Sequence, residues 1–184
     1  MKLNKLAIVL GFGVALTAGA ANAVNQGSGT VKFTGSIIDA PCSIKNNNVE
    51  VNLGQISSHI LKDGGRSESH FFKIELENCT DQTKNGLQTT FTGRNNGVSP
   101  QDLLGIEGTA KGAAIAITNA AGKLIRLGTK SDVMSLSEGN NDLHFAAYLQ
   151  GINAPDSADK DSEGKNLVVP GNFTAIANFS LNYL

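Results

Sequence analysis

Gly171-Asn-Phe-Thr-Ala-Ile-Ala-Asn-Phe-Ser-Leu-Asn-Tyr-Leu184 ends the chain on its longest alternation. Phe173, Ala175, Ala177, Phe179, Leu181 and Tyr183 fall on one side, and Thr174, Ile176, Asn178, Ser180, Asn182 and Leu184 on the other. Successive side chains of an extended backbone point to opposite faces, so a period of two over this length predicts a β-strand with one apolar face. The same pattern recurs upstream. In Ser69 to Cys79, Phe72, Ile74 and Leu76 alternate with Lys73, Glu75 and Glu77. Val49 to Leu53, Leu87 to Thr92, Gly112 to Thr118, Lys123 to Leu127 and Leu143 to Gln150 read as further strands. Asp63-Gly64-Gly65, Asn85-Gly86, Asn95-Asn96-Gly97, Asn119 to Gly122 and Gly139 to Asp142 supply the turns between them. Gly54 to Gly65 reads as a loop or short helical turn, Leu103 to Ile106 is ambiguous, and residues 151–166 form a polar, solvated loop. About seven strands with no helix beyond two turns predict an all-β, immunoglobulin-like sandwich.

At the other end, Gly29-Thr-Val-Lys-Phe-Thr-Gly-Ser-Ile37 also alternates. Val31, Phe33, Gly35 and Ile37 share a face opposite Lys32, Thr34 and Ser36. A glycine within the apolar face is unusual, and in strands it often marks a close approach by another backbone or ring. Alternation alone favours a strand of the chain's own sheet, but a terminal strand with one apolar face can also add to a neighbour's.

The first 23 residues are expected to be removed. Lys2 and Lys5 precede an apolar run from Leu6 to Ala18, and Ala21-Asn22-Ala23 has the small-x-small form of a signal-peptidase site. The run is short for a membrane span. Export follows, with residues 24–184 as a soluble mature chain. The formal net charge is −1, and loss of Lys2 and Lys5 makes it more negative. That argues against a nucleic-acid surface, which needs a basic patch. Cys42 and Cys79 are the two cysteines. In an exported chain an even count suggests a disulfide, the alternative being two buried free thiols. The bridge would close a loop of about 37 residues and contribute roughly 4 kcal/mol in the chain-entropy description.

Catalytic signals are absent from the sequence. His59, His70 and His144 lack metal-ligand spacing. Asp156, Asp159 and Asp161 miss the calcium-loop pattern. No nucleophile elbow, phosphate loop or dinucleotide fingerprint occurs. Asn78-Cys-Thr, Asn172-Phe-Thr and Asn178-Phe-Ser match the glycosylation sequon by chance, two of them inside the expected last strand. The expectation is no catalytic residue, no metal and no cofactor.

Taken in order, the landmarks resemble a major pilin of the chaperone–usher fimbriae, of the P-pilus and mannose-resistant Proteus-like kind. They are the signal segment, Gly29-Thr-Val-Lys-Phe-Thr-Gly35, Ile38-Asp-Ala-Pro-Cys42 and Leu53-Gly-Gln-Ile56. Glu77-Asn-Cys79, Gly171 fourteen residues from the end and the penultimate Tyr183 complete them. Each motif is weak alone, and their order over the whole chain is specific. Residues 151–166 depart from the pattern, being longer and more polar.

The resemblance implies an immunoglobulin-like sandwich that lacks its last strand and is completed by a neighbour. Residues 1–23 would be the signal peptide, 24–40 the donor-strand extension and 41–184 the pilin domain. Val31, Phe33, Gly35 and Ile37 would enter the next subunit's groove, with Gly35 where the groove is shallow. Gly171, Phe173, Ala175, Ala177, Phe179, Leu181, Tyr183 and Leu184 would form the strand bordering the groove and meeting a chaperone. The implied partners are identical or related pilin subunits, a periplasmic chaperone and an outer-membrane usher. The implied location is a surface fimbria reached through the periplasm. A minor or adaptor pilin is the alternative, and a self-contained exported binding domain a more distant one. The sequence does not speak to a host receptor.

Overall fold

The computed structural model describes residues 29–37, 40–83, 85–95, 102–152 and 168–184. The chain up to Ile37 is a unit apart from the domain that runs from Ile38 to Leu184. The described strands of the domain are β1 (Ser43–Ile44), β2 (His70–Cys79), β3 (Leu87–Gly93), β4 (Leu104–Gly105) and β5 (Glu107–Gly108). They continue with β6 (Ala113–Asn119), β7 (Gly139–Gly151), β8 (Phe173–Thr174) and β9 (Ala177–Tyr183). Short 3-10 turns fall at Lys62–Gly64 and Asp81–Thr83. The largest sheet has the order β1-β2-β7-β6-β4, while β3 pairs with β9 and β5 with β8. The named pairs are antiparallel.

The expected sandwich is what forms, and aromatic rings join its layers. Phe91 of β3 meets Phe145 of β7 edge-on with ring centroids 5.1 Å apart, and Phe72 of β2 lies 5.6 Å from Phe145. Ile74, Leu76, Leu87, Leu143 and Leu149 are buried around them. Each comes from the apolar side of an alternating strand. On the outer face Lys73 bonds Glu75 and Asp142 at 2.8 and 2.9 Å. The two carboxylates, Glu75 first, push the lysine up to about 12. Pairs this exposed stabilise little, so the fold rests on the apolar interior.

β6 departs from simple alternation. Ala113 to Thr118 are buried on both faces. The outward Ala114 and Ala116 are covered by Leu103, with Leu124, Tyr148 and Ile152 alongside. Small side chains suit a strand covered closely on both sides.

One irregularity aims a side chain. In β2 the residues Phe72, Ile74 and Leu76 face inward, so strict alternation would turn Cys79 outward with Glu75 and Glu77. The register slips by one residue between Leu76 and Cys79 against β7. Asn78 takes a φ of 55° there, a left-handed conformation that asparagine tolerates better than most residues. The extra residue is a β-bulge. It brings Cys79 to the inner face, where it forms the disulfide with Cys42 and both are buried.

Four segments that alternation reads as strands differ in the structure. Residues 29–37 are extended but belong to no ladder, and Val31, Phe33 and Ile37 are 74%, 89% and 104% exposed. Val49 to Leu53 keeps its alternating burial but joins no sheet. The long final strand is divided, because Ala175 and Ile176 leave the ladder where the partner changes from β5 to β3. Lys123 to Leu127 shrinks to a single bridge between Thr118 and Leu124. The signal segment, residues 24–28, Ile38, Asp39 and most of the polar loop lie outside the described residues.

Candidate functional site

An open cleft of about 1220 Å³ runs between residues 47–56 on one wall and residues 168–179 on the other. Its floor is the interior of the sandwich, including Phe72, Ile74, Phe91, Ile115, Ile117 and Leu149. The hydrophobic core is therefore uncovered along one line. Gly171, Phe173, Ala175, Ala177 and Phe179 line the cleft. Leu181 and Tyr183 continue β9 beyond it, and Leu184 follows the end of that strand.

Burial registers the gap. Phe173, Ala175, Ala177, Phe179, Leu181 and Tyr183 pack against the core yet remain only half-buried. The facing wall behaves alike, with Val49, Val51 and Ile56 half-buried. A sandwich with both sheets complete would bury such a face outright.

The backbone carries the same information. The amide of Leu184 donates to the carbonyl of Gly86 at 3.1 Å. On the far side of β3, Leu87 and Met134 exchange bonds of 2.9 and 2.8 Å, and the Ser131 amide donates to Thr89 at 2.8 Å. Odd-numbered residues of β3 thus turn their polar groups away from β9, and even-numbered ones turn theirs toward it. The register pairs Gln88 with Asn182, Thr90 with Ser180 and Thr92 with Asn178. In an antiparallel ladder it follows that Ala177, Phe179, Leu181 and Tyr183 aim their N–H and C=O groups at the other edge. Among the described residues no strand lies along that edge. The same residues present an apolar face below and a row of hydrogen-bonding groups beside it, as a strand awaiting another strand would.

Gly171 has a local reason. A Cβ there would lie 2.5 Å from Thr109 Oγ1 and 2.6 Å from the Ala110 amide nitrogen. The carbonyl of Asn172 accepts from the amides of Thr109 and Ala110 at 3.0 and 3.1 Å. Glycine lets this wall lie against β5 and the residues that follow it. At the far end, burial pushes the Tyr183 phenol above its ordinary value.

Electrostatically the cleft is almost neutral. Of its lining residues only Glu50 and Lys111 are charged, and Lys111 Nζ donates to the Gly108 carbonyl at 3.0 Å. Apolar depth with few charges suits an extended apolar segment. His59, His70 and His144 are absent from its lining. The resemblance implies a groove wall along Gly171 to Leu184, of which Gly171 to Phe179 line the cleft, whereas the sequence pattern reads Val49 to Leu53 as an ordinary strand and Gly54 to Gly65 as a loop or short helical turn. The signal available was an alternating run, Val49 to Leu53, ending in Gly54.

The family model described as fimbrial protein matches residues 31–184. The Major MR/P fimbria protein of Proteus mirabilis is 58% identical over 100% of this chain and 99% of its own length. The Fimbria A protein of Serratia marcescens is 51% identical with the same coverage. Among solved structures, the crystal structure of the P pilus rod subunit PapA matches with a TM-score of 0.63 at 30% identity, covering 79% of this chain and 100% of that one. A subunit from a chaperone–usher pilus, solved to explain rod uncoiling, gives 0.65 at 31% identity over 89% of this chain and 100% of its own.

Proposed function

The chain belongs to the fimbrial protein family, and from that premise we propose that it is the repeating structural subunit of a surface fimbria, joined to its neighbours by strand donation. The observation that carries this reading is the cleft, with an apolar floor and the unpaired edge of β9 beside it. The N-terminal segment of the next subunit supplies the missing strand. Val31, Phe33 and Ile37, exposed in the single chain, enter the cleft, and Gly35 passes where it is shallow. Main-chain bonds to the odd-numbered residues of β9 give affinity, and the side chains give register. Chaperone–pilin strand complementation is itself a standing example of recognition by an added strand. Because each copy donates at one end and accepts elsewhere, the contact is heterologous and open-ended, and a filament results.

Residues 1–23 act as the export signal. In the periplasm a chaperone strand covers the cleft until an outer-membrane usher brings the next subunit. The relatives just named include a major fimbrial protein, which favours the principal subunit over an adaptor; antibody labelling along the shaft, and not only near the tip, is the corresponding observation by electron microscopy.

The test is Gly35→Arg. Nothing lies within 4 Å of a Cβ built at Gly35, so the substitution leaves its own domain folded and able to accept a wild-type donor peptide. Donation should fail, since overpacking a fitted core costs about 1–3 kcal/mol or more. Normal polymerisation of Gly35→Arg would show the donor assignment to be wrong.

A further inference from the structure

We propose that Lys32 of an incoming subunit pairs with Glu50 on the wall of the receiving cleft, and that this contact selects the register of the inserted strand. The inference rests on the strand-donation reading above and adds to it an electrostatic key.

The charge inventory is short on both sides. Between Gly29 and Ile37 the only charged residue is Lys32. It belongs to the face opposite Val31, Phe33, Gly35 and Ile37, so it stays at the mouth of the cleft when they enter. Among the cleft's lining residues the only carboxylate is Glu50. Glu50 is exposed between the half-buried Val49 and Val51, so it too stands at the mouth. Among the described residues no ion pair involves Glu50 or Lys32. The cation of the cleft, Lys111, is held by the Gly108 carbonyl, and the outward residues of the opposite wall, Thr174, Ile176 and Asn178, are uncharged. One donor cation thus meets one acceptor anion.

The pair would act on register more than on total affinity. An alternating strand can slide by two residues and still bury its apolar face. Such a slide moves Lys32 by about 7 Å along the wall, beyond a direct ion pair. Charge complementarity of this kind suppresses wrong pairings and speeds encounter.

The test uses full-length subunits held by their chaperone, with synthetic donor peptides covering residues 29–40. Lys32→Glu in the peptide cannot disturb the acceptor's fold, and Glu50→Lys alters an exposed side chain. Each single reversal should slow exchange of peptide into the cleft by roughly three- to tenfold at low salt. The reversed peptide on the reversed acceptor should return to within about twofold of wild type, and the differences should shrink in about 1 M sodium chloride. If both reversals exchange like wild type, or if the double reversal stays slow, the pairing is overturned. Strand donation survives either result provided a peptide carrying Gly35→Arg still fails to enter. If that peptide enters as well as wild type, the underlying reading falls instead.

Discussion

Truncating Phe33 separates a strand that belongs to its own domain from one that belongs to a neighbour's. The ring is 89% exposed in the single chain. Removing it should therefore leave the subunit's own stability within about 0.5 kcal/mol, the usual range for a surface substitution. Inside a neighbour's cleft the same ring leaves water for an apolar floor that includes Phe72, Phe91 and Leu149. Burying a phenylalanine contributes about 1.5–3 kcal/mol, and truncating one in a site that cannot collapse costs about 3–5 kcal/mol. The cleft is open on one side, so the lower part of that range applies. Phe33→Ala should weaken donation by about 3 kcal/mol, or roughly two orders of magnitude in affinity. The assay has two arms. In one, a wild-type or Phe33→Ala peptide competes for the cleft of the wild-type subunit. In the other, the full-length Phe33→Ala subunit is filled with wild-type peptide and melted. A large loss in the first arm with no change in the second is the expected result. Equal competition by both peptides would mean that Phe33 does not face the floor. A several-kilocalorie loss in the second arm would place residues 29–37 in the chain's own sheet and refute the reasoning.

Cys42→Ser should cost about 4 kcal/mol, a large share of a marginal domain's stability, and should lower the yield of exported subunit; an unchanged denaturation midpoint would refute this. Gly171→Ala drives a methyl against Thr109 and the Ala110 amide, and should destabilise the filled subunit by about 1–3 kcal/mol, with amide exchange rising first at Thr109 and Ala110. An unchanged melting curve would mean that the glycine answers to the donor instead. Donor insertion buries Tyr183 further, so its phenol, already raised by burial, should titrate higher still in a spectrophotometric titration. The sign follows from linkage. A folded-state phenol that holds its proton longer than the unfolded one leaves stability intact below the unfolded value, about 10, and makes it fall as pH rises from there through the raised folded-state value. A Tyr183 that titrates lower with donor bound would place the strand elsewhere.

What could be read from the sequence divides along a physical line. Period-two patterns located β2, β3, β6 and β7 to within a few residues, because each buries at least one apolar face against a sheet present in the same chain. The bulge at Asn78 was not legible. Its cause is the need to bring Cys79 inward, which is a matter of partner position and not of local propensity. The double burial of Ala114 and Ala116 depends on Leu103 and Leu124, residues that reach them only through tertiary folding. The division of the last strand at Ala175 and Ile176 likewise follows from its exchange of partner.

The cleft is the case where alternation misleads in an instructive way. Side-chain period records that a segment is meant to have one apolar side; it says nothing about which chain completes the ladder beside it. Val31 to Ile37, Val49 to Leu53 and Phe173 to Tyr183 all alternate, yet the first two join no sheet and the third is paired along one edge. These three segments have the complementarity of adjacent strands: two half-buried walls with a gap between them, and an exposed strand whose apolar side would fill a gap of that kind. If the inserted strand came from within the domain, Phe173, Phe179 and Tyr183 would be buried like Phe145 and Leu149, which are nearly inaccessible. On the strand-donation reading their half-burial marks the place of the added strand, and Val31, Phe33 and Ile37, which are among the exposed large apolar side chains, are the residues proposed to fill it.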